Sequence, residues 1–187
     1  MLLKIEQGYI QYILLFSSAF VLSLIFTPFV RRFAIKSGFI SYPRADRWHK
    51  KPTAMLGGIG IYFACIIPVL FFMQIDRHTI GILSGATFLF LIGLVDDKFH
   101  LPPYTKLFTQ IIAGCVAVFF GVILGFPVNN LFAIPLTLLW IVGVTNSFNL
   151  LDNIDGLAVG TIAICSLMLS FSSLLFANSQ LGGFALI

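Results

Sequence analysis

Residues 89–106 read LFLIGLVDDKFHLPPYTK. An apolar run ends in two adjacent carboxylates, Asp96 and Asp97, and a Pro102-Pro103 break precedes Lys106. In a soluble domain such a pair would be ordinary. Here the surroundings are nearly free of charge: of 187 residues, 59% are hydrophobic and 10% charged, against roughly a quarter charged in average soluble domains. The mean hydropathy is +1.02. A chain of this composition belongs in a bilayer, and two neighbouring acids in it need a physical reason.

Apolar runs over 9–30, 55–73, 107–126, 131–148 and 157–177 each approach the 17 to 25 residues that a spanning helix requires. The run over 80–95 is shorter and would cover only ~24 Å of a ~30 Å hydrocarbon core. It is expected as a sixth span whose acidic end is drawn to the membrane surface. The runs are continuous, so a β-barrel, with its period-two alternation, is excluded. The first run is too long for a signal-peptide core, and no small-x-small cleavage site follows it. The expected fold is an all-α polytopic transmembrane helix bundle of about six spans. Residues 181–187 start a seventh apolar segment. The whole chain, 1–187, thus reads as a single integral-membrane domain and as the N-terminal portion of a longer protein. The cysteines, Cys65, Cys115 and Cys165, lie inside apolar runs and are expected as packed small hydrophobes, with no zinc spacing or disulfide framework.

Net charge is +4, yet its distribution argues against nucleic acid. Seven of the eleven Lys and Arg residues lie between Arg31 and Lys51, and none follows Lys106. That is the pattern of a positive-inside loop. It places the first loop in the cytoplasm, the N-terminus outside, and the segments 96–106 and 146–156 inside as well. Three polar, motif-bearing loops share one membrane face; the bland loops 74–79 and 127–130 share the other.

Each inside loop has two readings. In the first, Arg31, Arg32 and Lys36 directly follow the first run and serve as headgroup anchors. Arg44, Arg47, His49, Lys50 and Lys51 are bracketed by Pro43 and Pro52 and lead into Gly57-Gly58. They form either a solvated basic loop or a stiffened cation cluster for a phosphate-rich ligand. In the second loop, an acid costs about 2.5 to 3.5 kcal/mol at the centre of a bilayer and less near its surface. Asp96 and Asp97 are either hydrated interfacial acids or ligands of a divalent cation. Magnesium suits them, since it commonly takes one or two carboxylates and leaves its other positions to water and phosphates; manganese is the alternative. Lys106 is a membrane anchor or a phosphate contact. The third loop, TNSFNLLDNIDGLAVG over 145–160, sets Asn146, Asn149 and Asp152 at three-residue intervals, followed by Asp155 and Gly156. On a helix these stack along one side. They either glue helices through hydrogen bonds or line a polar site for the hydroxyls and amides of a sugar or nucleotide.

RADRWHKKPTAMLGG, GLVDDKFHLPPYTKL and NSFNLLDNIDGLAVG, in this order, resemble the polyprenyl-phosphate N-acetylhexosamine-1-phosphate transferases. The first motif is closer to the N-acetylglucosamine branch than to the phospho-N-acetylmuramoyl-pentapeptide branch. The resemblance implies transfer of an N-acetylhexosamine 1-phosphate from a UDP-sugar to a polyprenyl (undecaprenyl) phosphate at the cytoplasmic membrane, with release of UMP, for cell-wall or surface-glycan synthesis. It implies that Asp96 and Asp97 serve magnesium and the lipid phosphate, and that Lys106 is the cation that follows them. Asn149, Asp152, Asp155 and Gly156 match its Asn-x-x-Asp-x-x-Asp-Gly motif at the sugar-nucleotide site, and His49 with Gly57-Gly58 matches its first-loop pattern. Asn153 departs from it, many members having glycine there. The later Gly-Asp motif and histidine-rich loop fall beyond Ile187, so the 187 residues alone are expected to be inactive. A homodimer is left open. The rival readings are a truncated non-catalytic membrane protein and a transporter; transporters usually hold their coupling acids near the midplane.

Overall fold

The computed structural model describes residues 2–41, 53–125, 129–152, 154 and 156–176. Six helices follow in chain order: α1 (Leu2–Lys36), α2 (Gly57–Phe72), α3 (Arg77–Phe99), α4 (Pro103–Phe119), α5 (Asn130–Leu151) and α6 (Leu157–Phe176). A two-stranded ribbon joins α1 to α2, with β1 (Ile40–Ser41) antiparallel to β2 (Thr53–Ala54). The all-helical membrane architecture is therefore present. Ile13–Lys36, Arg77–Phe99 and Asn130–Leu151 are each long and apolar enough to cross a bilayer, and Gly57–Phe72, Pro103–Phe119 and Leu157–Leu169 are shorter apolar helices.

The helix ends depart from the apolar runs, because caps rather than hydropathy set them. The run expected to be short, 80–95, lies in a helix of 23 residues, about 35 Å long. Its start is fixed by Asp76, which accepts the Thr79 N–H at 2.7 Å. Its end is fixed by His100, whose backbone is left-handed (φ 53) and whose N–H donates to the Asp96 carbonyl at 2.8 Å. The shorter helices are instead α2 and α4, with 16 and 17 residues. Arg31, Arg32 and Lys36 do not follow the first helix but belong to its last turns. That helix stops at Gly38 (φ 74), where Phe39 N–H returns to Ala34 O and Gly38 N–H to Ile35 O, the paired closure that a left-handed glycine permits.

Packing is that of a membrane bundle. Fully buried positions are small: Ala64, Ala113 and Ala133 are each 2% exposed, while Phe71 is 80% exposed. Small residues let helix backbones approach, and large apolar ones face outward. Gly81 and Gly85 of α3 lie against Ala117, Phe120 and Ala113 at the α4 side. Cys65, Cys115 and Cys165 are exposed on the bundle rather than packed, a correction that follows from the same outward placement of apolar side chains.

α1 packs along α2, α3 along α4, and α4 along α5. The pairings set the levels. Gly60 abuts the backbone of Phe26 and Thr27, Arg77 Nη2 donates to Phe119 O at 3.0 Å, and Tyr62 Oη shares a 2.8 Å hydrogen bond with Thr87 Oγ1 while stacking on Phe90. The chain thus runs up and down. The last turns of α1, α3 and α5 and the first turns of α2 and α4 share one end.

Asp76 sits at the opposite end. Hydrogen bonds from the Thr79 side chain and backbone N–H hold its carboxyl below the ordinary range. Its folded-state pKa therefore lies under the unfolded value of roughly 3.9. The stabilisation is complete above that value and is lost as pH falls through the folded pKa. Asp76→Asn should remove this acid-sensitive component from a plot of melting temperature against pH. A profile unchanged between the two proteins would contradict the capping role.

Candidate active site

The shared end is built around the turn from α3 to α4. Asp96 organises it with three groups. Its carbonyl accepts His100 N–H, its Oδ1 accepts Leu101 N–H at 2.8 Å, and its Oδ2 meets Lys106 Nζ at 2.6 Å. Pro102 then precedes Pro103 at the first position of α4, where proline's missing N–H is no loss. The Asp96–Lys106 pair is the only ion pair among the described residues, with the two side chains 27% and 32% exposed. At that exposure its net contribution is modest, ~0–1 kcal/mol. Its effect is geometric: it holds the lysine ammonium over the turn.

Asp97 is different. Its carboxylate is partly buried, lies near the Leu56 backbone N–H and feels the charges of Asp96, His100 and Lys106. No cation lies within ion-pair distance of it among the described residues. Leu56 immediately precedes α2 in a left-handed conformation (φ 69). The end of the first loop and the acids of the second are therefore in contact. Beside Leu56, a cavity of about 190 Å³ is lined by Thr27, Val30, Arg31, Ala54, Met55 and Gly57.

The third polar segment joins at the same end. Asn146 and Asn149 lie in the last two turns of α5, and Asp152 follows directly, its N–H donating to Phe148 O at 3.0 Å. Asn146 Nδ2 donates to Gln110 Oε1 of α4 at 2.6 Å, one helical turn below Lys106. Gly156, with φ 79, makes the turn into α6, a conformation that favours glycine. The structure thus brings Asp96, Asp97, Lys106, Asn146, Asn149, Asp152 and Gly156 to one end. Arg44, Arg47, His49, Asn153 and Asp155 lie outside the described residues.

Two features escaped the sequence reading. Lys106 reads in the sequence as an anchor or a phosphate contact, and the structure makes it the partner of Asp96. Gln110, 5% exposed, was not singled out, although a lone glutamine in an apolar helix must find a polar partner.

The donor set tests the fit of a hard cation. Among the described residues no three His, Cys, Asp or Glu side chains gather, so a wholly protein-built cage is not formed by them. A carboxylate that meets no cation among the described residues, beside a second carboxylate, fits magnesium, which is held by one or two carboxylates with water and phosphate oxygens completing its shell.

Fold and site together define a membrane-embedded helical protein with a polar, acid-bearing end. Residues 79–187, more than half of the chain, match the family model described as glycosyl transferase family 4. The chain belongs to this family. Over 170 residues it is 32% identical to a Bacillus subtilis protein described as a "probable undecaprenyl-phosphate N-acetylglucosaminyl 1-phosphate transferase", covering 86% of this chain and 48% of that one. A decaprenyl-phosphate N-acetylglucosaminephosphotransferase of Mycolicibacterium smegmatis is 31% identical, covering 79% and 43%. A phospho-N-acetylmuramoyl-pentapeptide-transferase of Pelobacter propionicus is 33% identical, covering 62% and 38%. The chain spans about half the length of the curated relatives it matches. No solved structure matches it significantly.

Proposed function

We propose that the protein transfers an N-acetylhexosamine 1-phosphate from a UDP-sugar to a polyprenyl phosphate at the cytoplasmic face of the membrane, releasing UMP. The observation that carries this reading is the unequal use of the two acids. Asp96 is committed to Leu101 N–H and Lys106, whereas Asp97 meets no cation among the described residues, at an end that also holds Asn146, Asn149 and Asp152. The family membership and the printed activities of the relatives support the same reaction.

In the reaction, an oxygen of the lipid phosphate attacks the sugar-linked phosphorus. The bond from that phosphorus to the bridging oxygen breaks, and the electron pair leaves with UMP. One diphosphate is exchanged for another, so no ATP is needed, and rate enhancement comes from positioning and charge compensation. Asp97 is the residue to hold magnesium or manganese, which when bound supplies neutralisation of phosphate charge. Lys106 has two ammonium protons beyond the one given to Asp96 and is placed to meet a lipid phosphate. Asp96 orients that lysine and the turn. Asn149, Asp152 and the undescribed Asp155 offer acceptors and donors to the sugar nucleotide. The basic first loop, carrying Arg44, Arg47 and His49, faces the cytoplasm in this reading, with the N-terminus outside.

Membranes carrying the full-length protein should release UMP from UDP-N-acetylglucosamine only when undecaprenyl phosphate and magnesium are both present. Uptake of the nucleotide sugar into vesicles without UMP release would replace this reading with a transporter.

A further inference from the structure

The reading above leaves Gln110 without a role, yet it is among the most buried polar side chains described, at 5% exposure. It lies on α4 four residues after Lys106, hence on the same helix face. Its Oε1 accepts Asn146 Nδ2 at 2.6 Å. The second Nδ2 proton goes to the Val142 carbonyl at 3.0 Å. Both protons of the Asn146 amide are thereby used. The amide cannot be turned over, because its oxygen would then face the Val142 carbonyl, acceptor against acceptor. The Asn146 Oδ1 is left with only a long 3.5 Å approach from Gln110 Nε2, at the limit of a hydrogen bond. Asn146 itself is exposed, one turn before Asn149.

We propose that Gln110 is a positioning residue for recognition of the sugar nucleotide: by taking an Nδ2 proton of Asn146, with its own Nε2 no nearer than 3.5 Å to the oxygen, it fixes that carboxamide so that the oxygen keeps a lone pair as an acceptor for a hydroxyl or amide N–H of the ligand. Asn146 then reads a donor on the ligand, and Gln110 keeps it from offering an N–H instead. The inference rests on the proposed function and adds to it the polarity of one contact. Helix glue alone would predict a different outcome, since a pair that only joins α4 to α5 affects stability and leaves ligand affinity untouched.

The test is binding of UDP-N-acetylglucosamine to the purified full-length protein in lipid nanodiscs, by calorimetry, with magnesium present. Gln110→Met removes the acceptor and should weaken binding by about tenfold, the loss of roughly one hydrogen bond. The magnesium midpoint should not move. Gln110→Glu keeps a carboxyl oxygen for Asn146 and should stay within about threefold of the wild type. Wild-type affinity in Gln110→Met, with or without a lower melting temperature, overturns the inference. Should Gln110→Met fail to fold, Gln110→Ala, which also removes the acceptor, decides: a loss of about tenfold sustains the proposal, and wild-type affinity overturns it. A folded wild-type protein that binds no UDP-sugar refutes the proposed function itself, which separates the two failures.

Discussion

Asp97→Asn is expected to lower magnesium-dependent UMP release by at least about a hundredfold, the scale on which removing one electrostatic contact to a transition state acts. The amide keeps the volume, so the fold around it should persist. What it loses is the charge, and the charge is what a hard divalent cation requires. Asp96→Asn is expected to behave differently. Its Oδ1 can still accept Leu101 N–H, so the turn survives, but Lys106 loses its partner. Activity should fall by less than in Asp97→Asn, with the magnesium requirement unchanged. Initial rates of UMP formation across a magnesium titration distinguish the two. Equal losses with equal shifts in the magnesium midpoint would mean that both acids serve the metal alike, contrary to the geometry.

Gly81→Ala is expected to destabilise the bundle by about 1–3 kcal/mol, the usual range for overpacking. A Cβ at Gly81 would stand 2.5 Å from Phe120 Cβ and 3.3 Å from Ala117 O. Phe120 Cβ and the Ala117 carbonyl are fixed to the backbone, so α3 and α4 must move apart rather than merely adjust a side-chain tip. Gly93, on the same helix, has nothing within 4 Å of a built Cβ. Gly93→Ala should therefore be neutral or slightly stabilising, because alanine gives up less backbone freedom in a helix, by roughly 0.5–1 kcal/mol. Melting temperatures of the two variants in the same detergent test the contrast. Tolerance of alanine at 81 would show that the α3–α4 contact is looser than the structure has it.

Much of the architecture was legible because bilayer helices announce themselves through apolar composition. The order of helices and the placing of the polar segments at one end follow from six apolar runs and up-down connectivity. The helix ends were not legible in the same way. Residues 31–36 and 96–99 carry charges but stay helical, since helical hydrogen bonds are local and stop only where a cap such as Gly38 or His100 intervenes. The ribbon pairing Ile40 with Ala54 joins short segments that carry no periodic signal. At the site, the acids and carboxamides stood out because charge and polarity are expensive in lipid. Their partners did not: the Asp96–Lys106 and Gln110–Asn146 contacts each bridge separate elements, and nothing in linear spacing ties Gln110 to a residue 36 positions away.

Asp97 is expected to hold the divalent cation at the end of the bundle where Asn149 and Asp152 also lie. Ferrous iron in place of magnesium, with ascorbate and peroxide, cuts a polypeptide backbone close to where the metal sits. Cuts are expected near 56, near 96–97 and within 149–156, all suppressed by excess magnesium and lost in Asp97→Asn. Cleavage at 73–79 instead, or a pattern indifferent to Asp97→Asn, would contradict it.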